Sequence, residues 1–109
     1  MINQKFAVVD LETTGNNKNK DSIIQLSIVF INNRQIVDQY STFLSDNTDL
    51  SVFIQELTNI DESMLKGAPA FKDLAPDIYE KLQNLVLVAH NVDFDLAFLQ
   101  NHFSKCHLN

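Results

Sequence analysis

In the stretch Asp10-Leu11-Glu12-Thr13-Thr14-Gly15, two carboxylates are separated by one residue at the end of an apolar run, Phe6 to Leu11. β-Favouring residues followed by a turn-like segment, Gly15 to Lys20, predict a buried strand, and strand alternation puts both acids on one face, roughly 6 to 7 Å apart along the backbone. Two like charges side by side at a strand end are unfavourable without a cation, and their hard oxygen donors suit Mg²⁺ or Mn²⁺. A solvated strand end accounts for a bare Asp-x-Glu about as well. Thr13, Thr14 and Gly15 sharpen the chemical reading, because small hydroxyl residues and a glycine let backbone and side chains approach a substrate closely.

A second cluster, Ala89-His90-Asn91-Val92-Asp93-Phe94-Asp95, lies where an apolar run, Leu85 to Ala89, gives way to a helical pattern, Phe94 to Phe103. In α/β sheets ligands bind at the carboxyl ends of strands, which is where this cluster falls. Asp95, in the first turn of that helix, could reach a cation held by Asp10 and Glu12. An isolated aspartate there also complements the helix dipole, and Asp93 fits that role better. His90 taken singly reads as a structural histidine, and Asn91 as a turn residue.

The elements that must position these groups follow from periodicity. Ile23 to Ile31 is a second strand, with Ile24, Leu26, Ile28 and Phe30 on one face. Asn32-Asn33 can take the positive φ of a tight hairpin, and Gln35 to Phe43 returns as a third, half-polar strand. Phe71, Leu74, Ala75, Ile78 and Leu82 recur at helical spacing, which predicts an amphipathic helix over Phe71 to Leu82. Pro76 is tolerable if Asp73 caps that helix and the proline falls in its first turn. Leu85 to Ala89 then reads as a central strand reached by a parallel crossover. The order strand, strand, strand, helix, strand, helix implies an α/β domain on a mixed sheet.

At 109 residues and 45% hydrophobic content, the chain suits one domain with a modest core. Two glycines, two prolines and no repeat leave no obvious linker. A single cysteine, Cys106, and the lack of a secretory signal or long apolar stretch point to a reducing cytoplasm and no membrane role. The net charge of −6 and pI near 4.7 argue against a basic nucleic-acid grip. Bound cations that neutralise carboxylates and contact phosphate would relax that objection.

Phe6-Ala-Val-Val-Asp-Leu-Glu-Thr-Thr-Gly15 and Ala89-His-Asn-Val-Asp-Phe-Asp-Leu-Ala-Phe-Leu99 together resemble the first and second motifs of the DEDD (DnaQ-like, DEDDh-type) superfamily of 3′–5′ exonucleases. Ile54-Gln-Glu-Leu-Thr-Asn-Ile60 and Gly67-Ala-Pro-Ala-Phe71 are similar to the connecting segment between them. The resemblance implies a ribonuclease H-like mixed sheet flanked by helices, with residues 1–109 forming the N-terminal portion of one exonuclease domain. It implies Asp10, Glu12 and Asp95 as catalytic residues holding two divalent cations, Mg²⁺ or Mn²⁺. Leu11, Thr13, Thr14, His90, Asn91 and Phe94 would contact the terminal nucleotide of a nucleic-acid 3′ end, DNA before RNA. The implied partners are a polymerase or a fused helicase, the pattern being that of the polymerase III proofreading subunit or of exonuclease domains joined to DinG-type helicases. The third motif, a histidine followed five positions later by an aspartate, is expected beyond Asn109, so the chain would supply the metal site and nucleotide pocket but not the general base. His102 and His107 are five apart but are both histidines and follow the second motif too closely. The alternative is a non-catalytic module that binds nucleic-acid ends or docks a partner on the same scaffold.

Overall fold

In the computed structural model, which describes residues 4–108, the first alternating segment is strand β1 (Lys5–Thr13). Its Ala7, Val9 and Leu11 are buried, while Asp10 is exposed and Glu12 half-buried, so the strand has one core face and one open face. Strand β2 (Ile23–Asn32) pairs with it antiparallel, setting Leu26 opposite Leu11 and Ile28 opposite Val9 on the core side. Strand β3 (Gln35–Phe43) follows β2 antiparallel. The turn between them is Asn33-Arg34, with φ of 54° and 67°, one residue later than the expected Asn32-Asn33. A register shift between Phe30 and Ile31 moves the strand ends, and Asn32 itself still pairs with Gln35. Both turn residues take the left-handed conformation that a two-residue hairpin requires.

Two short helices that the periodicity did not predict come next, α1 (Val52–Thr58) and α2 (Glu62–Leu65). Each carries a local start signal. Ser51 Oγ accepts from the Ile54 N–H at 3.1 Å, and Asp61 Oδ1 accepts from the Met64 N–H at 3.0 Å. Ile54, Ile60 and Leu65 gather with Ile24 and Leu50 into a small second core.

Helix α3 (Phe71–Leu82) has the predicted bounds but not the predicted cap. It starts after Ala70, with Asp46 Oδ1 accepting from the Phe71 N–H at 2.7 Å, so Asp73 lies in the first turn and Pro76 falls inside the helix. Pro76 deprives the Lys72 carbonyl of its i+4 donor, and both residues face solvent, where water can replace the missing bond. Strand β4 (Val86–Val88) pairs parallel with β1, and helix α4 (Val92–Lys105) follows. The sheet order is β3-β2-β1-β4, which puts β4 at an edge among the described residues rather than at the centre. Its Val86 and Val88 are correspondingly exposed.

Phe71, Ala75, Ile78 and Leu82 of α3 and Phe98, Leu99 and Phe103 of α4 cover the Ala7-Val9-Leu11 face of the sheet. This amphipathic match makes the main core. An aromatic row, Phe94–Phe98–His102–Phe71, runs along it, with centroid spacings of 5.1, 5.4 and 5.7 Å. His102 Nδ1 lies 2.9 Å from the Phe98 carbonyl, so this histidine belongs to the core. Helix α4 ends with His107 at φ 64°, its N–H bonded to the Ser104 carbonyl and the Leu108 N–H to that of Phe103. That is a Schellman stop, with Leu108 packed back on the core.

Candidate metal and nucleotide site

Parallel pairing of β1 with β4 brings the carboxyl ends of the two strands side by side. Val8 stands against Val88, so Asp10 lies level with His90 and the start of α4. Asn91 caps that helix, its Oδ1 accepting from the Phe94 N–H at 3.4 Å, which sets Asp95 on the first turn. Asp95 is only 6% exposed, the one charged residue so buried among those described.

Glu12 and Asp95 both feel the Asp10 charge. Burial raises the Glu12 carboxyl above its ordinary value, and the charges of Asp10 and then Asp95 raise it further. Burial and the Asp10 charge raise the Asp95 carboxyl, against a main-chain hydrogen bond from Asn91 and the His90 charge, which lower it. Such mutual repulsion at a strand end is what a divalent cation relieves, and all three donors are hard oxygens. Among the described residues no three Asp, Glu, His or Cys side chains converge closely enough to enclose one ion by themselves.

Around the carboxylates the expected contact residues divide. Leu11 is buried in the core, so only its main chain is accessible to a ligand. Thr13 Oγ1 donates to the Gly15 carbonyl at 2.7 Å. Thr14 Oγ1 donates to Asp21 Oδ1 and accepts from the Ser22 N–H, both at 3.0 Å. His90 and Asn91 are exposed, and Asn91 serves as the helix cap. Phe94 is half-buried and, with Ala97 and Phe98, lines a shallow cleft of about 480 Å³ whose opposite wall is Asn16, Asn17, Lys18 and Asn19. Helix α4 holds that wall, since Asn101 Nδ2 donates to the Lys18 carbonyl at 2.7 Å and Lys105 Nζ to that of Asn19 at 3.2 Å.

Asp21 organises this loop, and nothing in the sequence pattern singles it out. Its Oδ1 holds the Thr14 hydroxyl and its Oδ2 accepts from the Asn17 N–H at 2.9 Å. A Cβ on Gly15 would lie 2.5 Å from Asp21 Oδ2, so Gly15 is required by this close approach. Gly15→Ala is therefore expected to cost about 1 to 3 kcal/mol, because the carboxylate it strikes is tethered on both oxygens. Urea denaturation checks this: the penalty should shrink when Asp21 is also shortened to serine, and an unchanged penalty would place the strain elsewhere.

A mixed four-stranded sheet flanked by helices, with acids at the carboxyl end of β1 and the start of α4, matches the ribonuclease H-like exonuclease architecture, and the chain belongs to the RNase T type of exonuclease family, which it matches over residues 7–109. It is similar to the 3′-5′ exonuclease DinG of Staphylococcus aureus strains USA300 and NCTC 8325, 48% identical over 103 residues. That match takes in 94% of this chain and 12% of the relative, so the chain spans about an eighth of those proteins' length. Among solved structures, exonuclease I bound to the inhibitor BCBP superposes over all of this chain and 26% of its own, with a TM-score of 0.85 at 15% identity. The zinc-bound complex of Escherichia coli exonuclease I with single-stranded DNA matches 97% of this chain and 25% of its own, at TM-score 0.85 and 16% identity. The nuclease domain of 3′hExo, a DEDDh family member bound to rAMP, covers 98% of this chain and 62% of its own at TM-score 0.76 and 18% identity.

Proposed function

We propose that this chain is a metal-dependent 3′–5′ exonuclease domain that acts on single-stranded DNA ends, and that it works as one part of a larger protein. The observation that carries the reading is the placement of Asp10 and Glu12 at the carboxyl end of β1, with Asp95 in the first turn of α4, which the β1–β4 pairing brings alongside. The similarity to a 3′-5′ exonuclease over 94% of the chain supports it.

Asp10, Glu12 and Asp95 would hold two divalent cations, Mg²⁺ or Mn²⁺, which when bound polarise a phosphodiester and lower the pKa of a water. The chain's own work is positioning. The Asn91 cap sets the start of α4 and with it the approach of Asp95 to β1. Phe94 and the loop wall opposite it seat the terminal nucleotide, with Thr13, Thr14, His90, Asn91 and the Leu11 main chain around it. Aromatic packing of a base on Phe94 contributes about 1 to 3 kcal/mol.

The test is calorimetric titration with Mn²⁺ beside digestion of a 3′-end-labelled oligonucleotide, with Asp10→Ala as the control for contamination. Binding lost in Asp10→Asn supports the site, and binding as tight as in the parent overturns it. Because among the described residues no three donors enclose an ion unaided, a module that binds nucleic-acid ends without cleaving them is the second reading. Retained Mn²⁺ and nucleotide binding with no Asp10-dependent digestion would favour it.

A further inference from the structure

The open face of the sheet continues beyond the carboxylates, and strand register says what stands beside them. Residues directly opposite in antiparallel pairs share a face. Asp10 stands opposite Ser27 and Ser27 opposite Ser41, while Glu12 stands opposite Gln25 and Gln25 opposite Phe43. Ser27 Oγ and Ser41 Oγ are 3.0 Å apart, as side chains on one face must be. Gln25, Ser41 and Phe43 then form one wall of a cleft of about 410 Å³, with Met64, Lys66 and the Gly67–Pro69 segment forming the other.

That second wall is held in place. Ser45 Oγ donates to the Ala68 carbonyl at 2.7 Å, and the Ser45 N–H to that of Pro69 at 3.0 Å. Gly67, at φ 81°, has open space where a Cβ would stand, so its main chain is accessible. Lys66 is exposed, and no acid is among the residues lining the cleft. In a chain of net charge −6, this is a trough of mixed polar and apolar lining with an ammonium at its edge, on the same sheet face as the Asp10–Glu12 row.

We propose that this cleft is a second binding site, which holds the phosphodiester backbone of a single nucleic-acid strand just upstream of the nucleotide seated at Asp10, Glu12 and Asp95. The inference rests on the reading of that site given above and adds the path of the strand. Ser41 is two strand spacings from Asp10, about 10 Å, a distance the next part of an extended strand covers. Lys66 supplies charge for a phosphate, the Ser41 hydroxyl and Gln25 amide supply hydrogen bonds, and Phe43 and Met64 give an apolar floor for a base. None of these groups reads a base edge, so the track accepts any sequence.

The experiment compares dTMP with an eight-nucleotide phosphorothioate oligothymidylate, both with Mn²⁺, on the unaltered chain, Lys66→Glu and Ser41→Tyr. Both substituted residues are exposed, so melting temperatures should stay within a degree or two of the parent. Lys66→Glu is expected to weaken the octamer about tenfold and to lower its salt slope by about 0.7, leaving dTMP unchanged. Ser41→Tyr, which fills the cleft, should weaken the octamer alone to a similar extent. Octamer binding equal to the parent in both variants overturns the proposal. Failure of dTMP to bind the unaltered chain is the separate result that overturns the carboxylate-site reading, and the track falls with it.

Discussion

Asp95→Asn is expected to weaken Mn²⁺ binding by about 100-fold or more and, in metal-free buffer at pH 7, to raise the melting temperature by about 2 to 4 °C. The two effects have one origin. Asp95 is buried and faces the Asp10 charge, so the folded chain holds its carboxyl above the ordinary value of 3.8. A carboxyl raised in this way binds its proton more tightly folded than unfolded. The stability this gives is fully present below 3.8 and is lost as pH rises through the folded value, leaving a net cost at pH 7. Asparagine removes the charge and keeps an oxygen to accept the Asn91 hydrogen bond. The advantage of the variant should therefore narrow between pH 7 and pH 4, and added Mn²⁺ should stabilise the parent far more than the variant. Thermal melts at both pH values, with and without Mn²⁺, check the set. A variant less stable than the parent at pH 7 would make Asp95 a structural group instead of a ligand.

Phe98→Ala is expected to destabilise the fold by about 3 to 5 kcal/mol, a large part of the about 5 to 15 kcal/mol available to a domain of this size. Phe98 is 1% exposed and packs between Phe94 and His102, so its loss leaves a cavity that neither α4 nor the sheet can close. Phe94, at the outer end of the row and half-buried, should cost about 1 to 2 kcal/mol on truncation while reducing nucleotide binding. Urea midpoints of the two variants measure the contrast. Equal losses would mean that Phe94 contributes to the core as fully as Phe98.

Much of the architecture was readable because it depends on local periodicity. β1, β2, β3, α3 and α4 lie within a few residues of the segments picked out by two-residue and helical spacing. The failures have non-local causes. Asp46, 25 residues away, accepts the first free N–H of α3, so Asp73 is not the cap and Pro76 is not in the first turn. The hairpin turn moved by one residue because a strand irregularity at Phe30/Ile31 absorbs register, which no property of Asn32 or Asn33 announces. α1 and α2 are too short for periodicity, and their only signals were the caps Ser51 and Asp61. At the site, the shared face of Asp10 and Glu12 followed from alternation alone. The arrival of Asp95 beside them needs the β1–β4 pairing, and the tethering role of Asp21 needs three-dimensional proximity to Gly15 and Thr14.

The short pairing of β4 with β1 also bears on the order in which the molecule forms. β1, β2 and β3 are joined by short connections and can zip as neighbours, whereas Phe6 meets Val86 only after most of the chain has been looped back, for three residue pairs. Asp10 and Glu12 are thus expected to lie in the part that assembles early and Asp95 in the part that docks late. The carboxylates repel across that last seam, so an ion bridging them would act as a latch on the final step of folding, and amides of β4 should exchange with solvent long before those of β1 and β2.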